Sequence, residues 1–222
     1  MRALRRLVDW IVLRDRQYRF LFRDQETDEA VSLDCETTGF DPWVDEIVSI
    51  AAIPIRGSRI LTSESYCAVV RPTEAMNTRS IRVHQLREKD VQHGKAMQDV
   101  LPELLHFIGS RPVVGYWIDF DVRMLDKYLI EWLNIHLPNQ RVDVSRLYYD
   151  RKYGNAPPGT RIDLSFASIR RDLGLPTLQE HDAFNDALTA AQIYVILKDM
   201  TERGARIHRD RSDVQDITFA AG

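Results

Sequence analysis

Cysteine is scarce in this sequence, and long apolar runs are absent. Only Cys35 and Cys67 occur in 222 residues, at a spacing typical of neither a metal site nor a redox motif. We therefore expect both to be reduced core residues of a cytoplasmic protein. The apolar start of the chain contains Asp9 and lacks a small-residue cleavage site. We therefore expect neither a signal peptide nor a membrane span there.

The chain also lacks a strong excess of charge of one sign. Its 30 Lys and Arg residues against 33 Asp and Glu residues give a net charge of −3. Composition alone therefore indicates no basic surface for nucleic acid, although acids neutralised by metal would conceal a local preference of that kind. With 44% hydrophobic residues, the chain is long enough to bury one full core. We expect a single domain with extensions at its ends.

Positive charge is concentrated at the N-terminus. Residues 1–24 contain seven Arg and three Asp residues, a local charge of +4. Apolar residues recur at helical spacing in this segment: Leu4, Leu7, Ile11, Tyr18 and Phe22. The pattern predicts a basic amphipathic helix, and two hypotheses remain for it. The helix packs on its own domain, or it binds a partner protein or a membrane surface.

Strand and helix signals alternate along the rest of the chain. Strands are predicted at residues 32–40, 45–55, 63–72 and 111–117 and at the start of the segment 140–149. Helices are predicted at residues 78–91, 96–109, 119–133, 164–174 and 181–200, the second of them capped by Gly109. This order is typical of an open α/β sheet with helices packed on it.

Two carboxylates lie close together on the first strand, in the segment SLDCETTGF at residues 32–40. Side chains alternate faces along a strand, so Asp34 and Glu36 point to one face while Leu33 and Cys35 point to the other. Two unpaired like charges raise the cost of burying each other. No Lys or Arg lies within the strand, so a divalent cation is the leading hypothesis. Clustered oxygen ligands suit Mg²⁺ or Mn²⁺ rather than zinc.

Asp121 and Asp186 are two further acids that we expect to be buried. Asp121 lies where a strand is followed by a helix, the position at which open α/β sheets bind ligands. Asp186 lies one turn into an otherwise apolar helix. Each could instead stabilise the start of its helix, as we expect Asp182 to do as an N-cap.

His181 strengthens the metal-site hypothesis. It precedes Asp186 by five residues, a rotation of roughly 140° on a regular helix, so the two cannot share one helix face. If both belong to one site, His181 lies in the loop before the helix and reaches back over the metals. A histidine in that place suits a general base beside a metal-bound water. The alternative is an ordinary surface histidine.

Three segments in order resemble the DEDD superfamily of 3′-to-5′ exonucleases, in the histidine-containing branch that includes the epsilon proofreading subunit of bacterial DNA polymerase III. SLDCETTGF is similar to the D-x-E-T-T-G block, VVGYWIDFDVRML to the second block ending in Phe-Asp, and HDAFNDA to H-x-A-x-x-D-A. Their ordered occurrence over about residues 30–200 is specific. The resemblance implies a ribonuclease H-like fold, with a five-stranded mixed sheet and helices on both faces.

The polar, non-periodic segment at residues 23–30 and the extent of the resemblance together predict the division of the chain. The exonuclease domain is expected at residues 28–203, after a basic amphipathic helix and linker at 1–27 and before a loosely ordered tail at 204–222.

The resemblance also implies the catalytic residues and the cofactors. Asp34, Glu36, Asp121 and Asp186 would hold two Mg²⁺ or Mn²⁺ ions, with His181 as the general base. Asp34 would bridge both ions. Glu36 and Asp186 would complete the ion that activates water, and Asp121 would support the second ion. The expected product is a 5′-mononucleotide.

Four residues match substrate-binding positions of the family. Thr37 and Thr38 match contacts to the terminal nucleotide, and Phe40 matches an apolar wedge that packs on the terminal base. A core position is the alternative for Phe40. His84 matches a histidine near the substrate strand, although Gln85 replaces the glycine that often follows it.

Trp117 departs from the second motif, in which the family usually has Asn. The tryptophan could stack on a base or fill the core. We expect it to pack in the core beside Phe120.

Three functions remain open. The first is a metal-dependent exonuclease acting on free 3′ ends, single-stranded DNA by preference, in proofreading or repair. The second is a member of the same superfamily that trims RNA. The third is a non-catalytic subunit that binds a polymerase or another protein through the N-terminal helix.

Overall fold

One long strand in the middle of the sheet organises the fold. The computed structural model describes residues 2–24, 27–73 and 88–209. In it, strand β1 (Glu29–Thr37) pairs antiparallel along its whole length with β2 (Ile47–Arg56). The other edge of β1 pairs parallel with β5 (Val113–Gly115), through Val31 and Ser32.

The remaining strands extend the sheet on both sides of β1. β3 (Arg59–Ile60) and β4 (Tyr66–Val69) both pair antiparallel with β2, and β6 (Arg141–Asp143) pairs parallel with β5. The order is β3-β2-β1-β5-β6, with β4 also paired to β2. The sheet has six strands but is five strands wide, because β3 and β4 occupy the same edge of β2. The predicted mixed sheet is confirmed.

Helices cover both faces of this sheet. They are α1 (Arg2–Val12), α2 (Glu88–Val91), α3 (Met97–Ile108), α4 (Asp119–Leu133), α5 (Val144–Lys152), α6 (Phe166–Asp172) and α7 (Ala183–Glu202). Gly109 caps α3 with a φ of 58°, as predicted. The predicted helix at 78–91 lies mostly outside the described residues, and α2 is its described end. Among the described helices, none has the length and apolar character that crossing a bilayer requires.

The alternation of side chains along β1 separates the two halves of the core. Val31, Leu33 and Cys35 belong to the apolar cluster that includes buried residues of α3 and α4. On the opposite face, the Ser32 hydroxyl donates a 2.7 Å hydrogen bond to the Ala187 carbonyl of α7. Asp34 and Glu36 follow Ser32 at two-residue steps, so they lie on the α7 side of the sheet.

Cys67 differs from the expectation for the two cysteines. Cys35 is buried, whereas Cys67 is exposed on β4. The prediction of a core position is therefore wrong for Cys67. The reason is that β4 is an edge strand with alternating burial, and Cys67 lies on its exposed face.

The N-terminal helix packs on the domain through its polar side. Asp9 and Leu13 are buried, and Asp9 Oδ1 lies 3.6 Å from His136 Nδ1. The Arg14 amide donates a 3.0 Å hydrogen bond to the Leu133 carbonyl. The apolar stripe is exposed instead, with Leu4, Leu7, Val8 and Ile11 between 47% and 68% accessible. α1 thus docks on its own domain, but not through the apolar face that amphipathic patterning favours.

The second part of the predicted N-terminal helix has a different conformation. α1 ends at Val12, and Arg16–Phe22 form a 3-10 helix capped by Asp15. Tyr18 and Leu21 of this short helix are buried in the main core. Of the apolar residues at helical spacing, those in α1 are therefore exposed, whereas Tyr18 in the 3-10 helix is buried.

Gly115 provides a test of how closely the strands pack around the site. A Cβ at this position would lie 2.8 Å from the Leu33 carbonyl oxygen and 2.9 Å from Ile118 Cδ1. We expect Gly115→Ala to destabilise the protein by roughly 1–3 kcal/mol because the backbone of β1 cannot yield. Urea denaturation measures the change. Exposed Ser58→Ala is the control and should alter stability by less than about 0.5 kcal/mol. Equal stability of Gly115→Ala and wild type would contradict the prediction.

Candidate active site

Three carboxylates converge between the end of β1 and the start of α7. Asp34, Glu36 and Asp186 each offer an oxygen, and these three oxygens lie within 4.8 Å of one another. The two strand residues share one face because they are two positions apart. Asp186 meets them because α7 packs on that face and carries it in the first turn. The structure thus brings together three of the four predicted metal ligands.

Asp121 lies beside this cluster and is held in place by a hydrogen bond from the backbone of β1. Its Oδ1 accepts a 2.9 Å hydrogen bond from the Cys35 amide of β1. That amide lies beyond the end of β5, where no neighbouring strand offers a carbonyl in the ladder. A buried backbone donor requires a partner, and Asp121 supplies it from the first turn of α4. Asp121 is therefore fixed against β1, and it falls outside the group of three close oxygens.

Burial raises the pKa values of all four acids, and repulsion from neighbouring carboxylates raises them further. For Asp34, burial raises the pKa well above its usual range, and Asp121 and Glu36 raise it further. Burial raises the pKa of Glu36 to about 7, with an added contribution from Asp186. Burial also raises the pKa of Asp121 to about 8 and that of Asp186 to about 6.

The donor set fits a divalent cation. Across residues 2–24, 27–73 and 88–209, no Lys or Arg forms an ion pair with Asp34, Glu36 or Asp186. Clustered carboxylate oxygens without a neutralising side chain are typical ligands of Mg²⁺ and Mn²⁺. The cluster could therefore hold a metal ion, whose charge would favour the ionised form of these acids that burial disfavours.

His181 lies in the loop before α7, as predicted. Its backbone has a φ of 60°, in the left-handed region, and its side chain is exposed. Its amide donates a 3.0 Å hydrogen bond to Asp186 Oδ2, so the loop is tied to the acid cluster. The Asp182 carboxylate accepts a hydrogen bond from the Asn185 amide, which confirms the predicted N-cap. The cap places the turn that carries His181 directly before α7.

Thr37 and Thr38, at the end of β1, make side-chain hydrogen bonds within the loop that follows the strand. Thr37 Oγ1 donates to the Gly39 carbonyl at 2.6 Å. Thr38 Oγ1 donates to Asp45 Oδ1 at 3.0 Å. A Cβ at Gly39 would overlap the Asp45 carboxylate, so a larger residue there requires the Asp45 side chain to move. Both hydroxyls that were expected to contact the substrate therefore have partners within the loop.

Phe40 and Trp117 both project from the protein surface. Phe40 is 76% exposed, and its ring centroid lies 6.1 Å from that of Phe120. The core alternative for Phe40 does not hold. Trp117 is 61% exposed, so its predicted core position beside Phe120 is wrong. Its φ of 54° turns the chain at the end of β5 and directs the side chain away from the core. His84 lies outside the described residues.

Comparison with known proteins identifies the family. Residues 31–194 match the RNase_T family, which is described as "Exonuclease". The chain belongs to this exonuclease family. The match begins within β1 and ends within α7, so it includes the three converging carboxylates, Asp121 and His181. The expected resemblance to exonucleases is confirmed.

Two relatives illustrate the range of related proteins. The epsilon subunit of DNA polymerase III from Aquifex aeolicus is 28% identical over 165 residues, which are 74% of this chain and 78% of that protein. The PolC-type DNA polymerase III of Thermotoga maritima is 27% identical over 177 residues, which are 78% of this chain. The chain spans only 12% of the length of that polymerase.

Solved structures of exonucleases share the fold. Exonuclease X in complex with 5′-overhanging duplex DNA has a TM-score of 0.60 and 21% identity, over 84% of this chain and 98% of that one. The zinc-bound complex of E. coli Exonuclease I with single-stranded DNA has a TM-score of 0.64 and 16% identity, over 79% and 42% of the two chains. The expected ribonuclease H-like fold is confirmed.

Sequence patterns did not identify the residues that fix the loop after β1. Asp45 accepts hydrogen bonds from the Thr38 hydroxyl and from the Asp41 amide, at 3.0 and 2.8 Å. Lys127 of α4 donates a 3.1 Å hydrogen bond to the Asp45 carbonyl. The Lys127 contact joins positions 82 residues apart, and no local sequence signal announces it.

The raised pKa values predict how stability depends on pH. Glu36, Asp121 and Asp186 ionise at higher pH in the folded chain than their ordinary values near 4. Their stabilising contribution is complete below the unfolded pKa and is lost as pH rises through the folded pKa. The melting temperature of the metal-free protein should therefore fall between about pH 4 and pH 8.

Thermal melts with chelator across this pH range measure the effect. Glu36→Gln removes one titrating group, so its melting temperature should fall less steeply than that of wild type. Mn²⁺ added at pH 8 should restore more stability to wild type than to the variant. An identical pH profile for both proteins would contradict the assignment.

Proposed function

We propose that this protein is a metal-dependent 3′-to-5′ exonuclease that hydrolyses the terminal phosphodiester of single-stranded DNA and releases 5′-mononucleotides. The observation that carries the proposal is the convergence of Asp34, Glu36 and Asp186 with His181 at its edge, in a chain of the exonuclease family. Proofreading or repair is the role that we infer, because the relatives include a PolC-type DNA polymerase III and an epsilon subunit of DNA polymerase III.

The proposed ligands bind two Mg²⁺ or Mn²⁺ ions. When bound, such ions stabilise the charge that develops on the attacking and leaving oxygens of the phosphodiester. Asp34 would serve both ions, because an oxygen of Asp34 lies close to Glu36 and Asp186 and its carboxylate also interacts with that of Asp121. The Cys35 amide holds Asp121 in place for this role.

His181 is the proposed general base. It lies beside the acid cluster, and its exposed imidazole would take a proton from a water molecule that faces the terminal phosphate. The hydrogen bond from its amide to Asp186 keeps the loop at the metal ligands. Proton removal by His181 therefore takes place beside the residues that bind the ions.

Phe40 is proposed to pack on the terminal base. Its ring is exposed and leans on Phe120, so it offers a supported aromatic surface next to β1. Stacking of this kind tolerates any base. Thr37 and Thr38 would contact the terminal nucleotide mainly through the main chain, since their hydroxyls already bind within the loop. His84 is proposed as a further substrate contact.

RNA is the alternative substrate. Relatives described as polymerase subunits and complexes with DNA oligonucleotides favour DNA. None of the described site residues distinguishes a 2′-hydroxyl, the group that separates RNA from DNA. Rates on matched DNA and RNA oligomers, measured side by side, separate the two substrates.

A non-catalytic role is the third candidate. The exposed apolar stripe of α1 favours a polymerase or other protein partner at the N-terminus. Retention of all five expected catalytic residues favours an enzyme. We propose that residues 28–203 form the catalytic domain, with 1–27 and 204–222 as extensions, and that the protein is cytoplasmic, in keeping with its two free thiols.

Asp34→Ala tests the catalytic assignment. We expect mononucleotide release from a single-stranded DNA oligomer to fall by at least about 10³-fold, because the central ligand is lost. Chelator should abolish the release, and Mg²⁺ or Mn²⁺ should restore it in wild type only. Asp99→Asn, at an exposed position on α3, is the matched control and should keep full activity. Turnover by the Asp34→Ala variant, or turnover in chelator, would falsify the proposed mechanism.

His181→Ala tests the general base. Its kcat should fall by roughly 10²–10⁴-fold, the usual contribution of acid–base catalysis, while Mn²⁺ affinity stays near that of wild type. Calorimetric titration measures the affinity, and steady-state assays measure kcat. His93→Ala, which removes an exposed histidine between α2 and α3, should change neither quantity. Loss of metal binding without a specific loss of kcat would assign His181 to the ligand set instead.

A further inference from the structure

Two adjoining cavities lie between α1 and α4. Their volumes are about 490 and 280 Å³, and Arg5, His136 and Arg141 line both of them. We refer to the pair as the basic cleft. The α1 wall of this cleft lies outside the residues that match the exonuclease family, which begin at residue 31.

The basic cleft has the opposite charge from the protein as a whole. Its lining contains six permanent cations and three acids, a net charge of +3, whereas the chain has −3. The cations are Arg5, Arg6, Arg123, Lys127, Arg141 and Arg146, and the acids are Asp9, Asp119 and Asp126. A cavity with one predominant sign of charge attracts ligands of the other sign, so this one favours polyanions.

Two of the cations are available to a ligand. Arg141 pairs with Asp119 at 3.2 Å and with Asp126 at 3.4 Å, which occupies its guanidinium. Arg5 and Arg123 are exposed, and neither makes a hydrogen bond or ion pair within the part of the chain that the structure describes. Arg5 reaches the cleft from α1 and Arg123 from α4.

The basic cleft shares α4 and the loop after β1 with the proposed substrate site. Asp119, which lies in the same first turn of α4 as Asp121, lines the cleft, and the cleft extends along this helix to Lys127 and Ile130. At its other wall lies Trp43, which is 81% exposed and three residues beyond Phe40. Exposed aromatic rings beside a basic groove are typical of surfaces that bind nucleic-acid strands, through base stacking and phosphate contacts.

We propose that the basic cleft binds the sugar-phosphate backbone of the nucleic-acid substrate beyond the nucleotide that is removed. Arg5 and Arg123 contact phosphates, and Trp43 offers a stacking surface. α1 is then part of the substrate-binding surface. The inference rests on the proposed exonuclease function, and the backbone belongs either to the strand being degraded or to its complement.

Binding without hydrolysis is the first test. Fluorescence anisotropy in chelator measures the affinity of a single-stranded DNA of about 20 nucleotides and of a duplex with a recessed 3′ end. We expect Arg5→Gln/Arg123→Gln to bind about tenfold more weakly at moderate salt. For single strands, the slope of log K against log salt concentration should fall by about 1.4, since two phosphate contacts are lost.

Arg16→Gln/Arg59→Gln is the matched control, because it removes two exposed arginines away from the cleft. It should change the affinity by less than about twofold, as expected for the loss of long-range, screened charge interactions alone.

Trp43→Ala should weaken binding as Arg5→Gln/Arg123→Gln does, but with no change in charge. A loss with single strands assigns the cleft to the degraded strand, and a loss with the duplex alone assigns it to the complement. Unchanged affinity, or an equal loss in the control, would overturn the proposal.

Hydrolysis separates this inference from the proposed function. With the p-nitrophenyl ester of thymidine 5′-monophosphate, kcat/KM of Arg5→Gln/Arg123→Gln should equal that of wild type. With the longer oligomer it should fall about tenfold. If wild type hydrolyses neither substrate, the proposed function fails while the binding result still decides the role of the cleft. Equal losses on the ester and the oligomer would overturn the cleft assignment and leave the exonuclease function in place.

Discussion

Burial of Asp34, Glu36 and Asp186 against one another would destabilise the protein unless protons or cations were bound among them. The strand that carries two of them is the central strand of the sheet and cannot move outwards to relieve the repulsion. α7 brings the third acid to the same place through an N-capped first turn. The sheet, the N-cap and the packing of α7 on β1 thus maintain a site that has affinity for cations and, without them, lowers the stability of the fold.

The same acids repel a polyanionic substrate, and the charge distribution of the molecule offsets this repulsion. A cluster of carboxylates repels phosphates, whereas bound cations and a neighbouring basic surface attract them. The chain separates its charges accordingly. Residues 1–24 have a charge of +4, and α1 contributes Arg5 and Arg6 to a basic cleft that none of the four site acids lines. An overall charge of −3 conceals this separation, so composition alone indicated no nucleic-acid partner.

The sequence predicted what depends on local periodicity and on ordered motifs. Alternation along β1 predicted the shared face of Asp34 and Glu36, and the five-residue separation placed His181 in the loop before α7. Contacts between distant segments could not be predicted in this way. α1 packs with Asp9 against His136, and the cleft is lined by both Arg5 and Arg123, which are more than a hundred residues apart.

Backbone geometry accounts for another error of prediction. Trp117 is apolar and follows a buried strand, so periodicity favoured a core position, yet a left-handed turn directs it outwards. Cys67 was misplaced for a related reason. Strand patterns do not show which strand lies at the edge of a sheet, and it is at the edge that one face of β4 meets solvent.

Left-handed backbone conformations occur on both sides of the acid cluster, at Trp117 and His181. Each lies at a turn directly before the helix that carries one of the acids. Non-glycine residues adopt this conformation at a cost of order 1 kcal/mol or more, and glycine adopts it freely. If chain geometry alone decided the residue, glycine or asparagine would suit both positions better. The main chain therefore does not explain an indole and an imidazole at these turns, where both side chains are exposed to solvent.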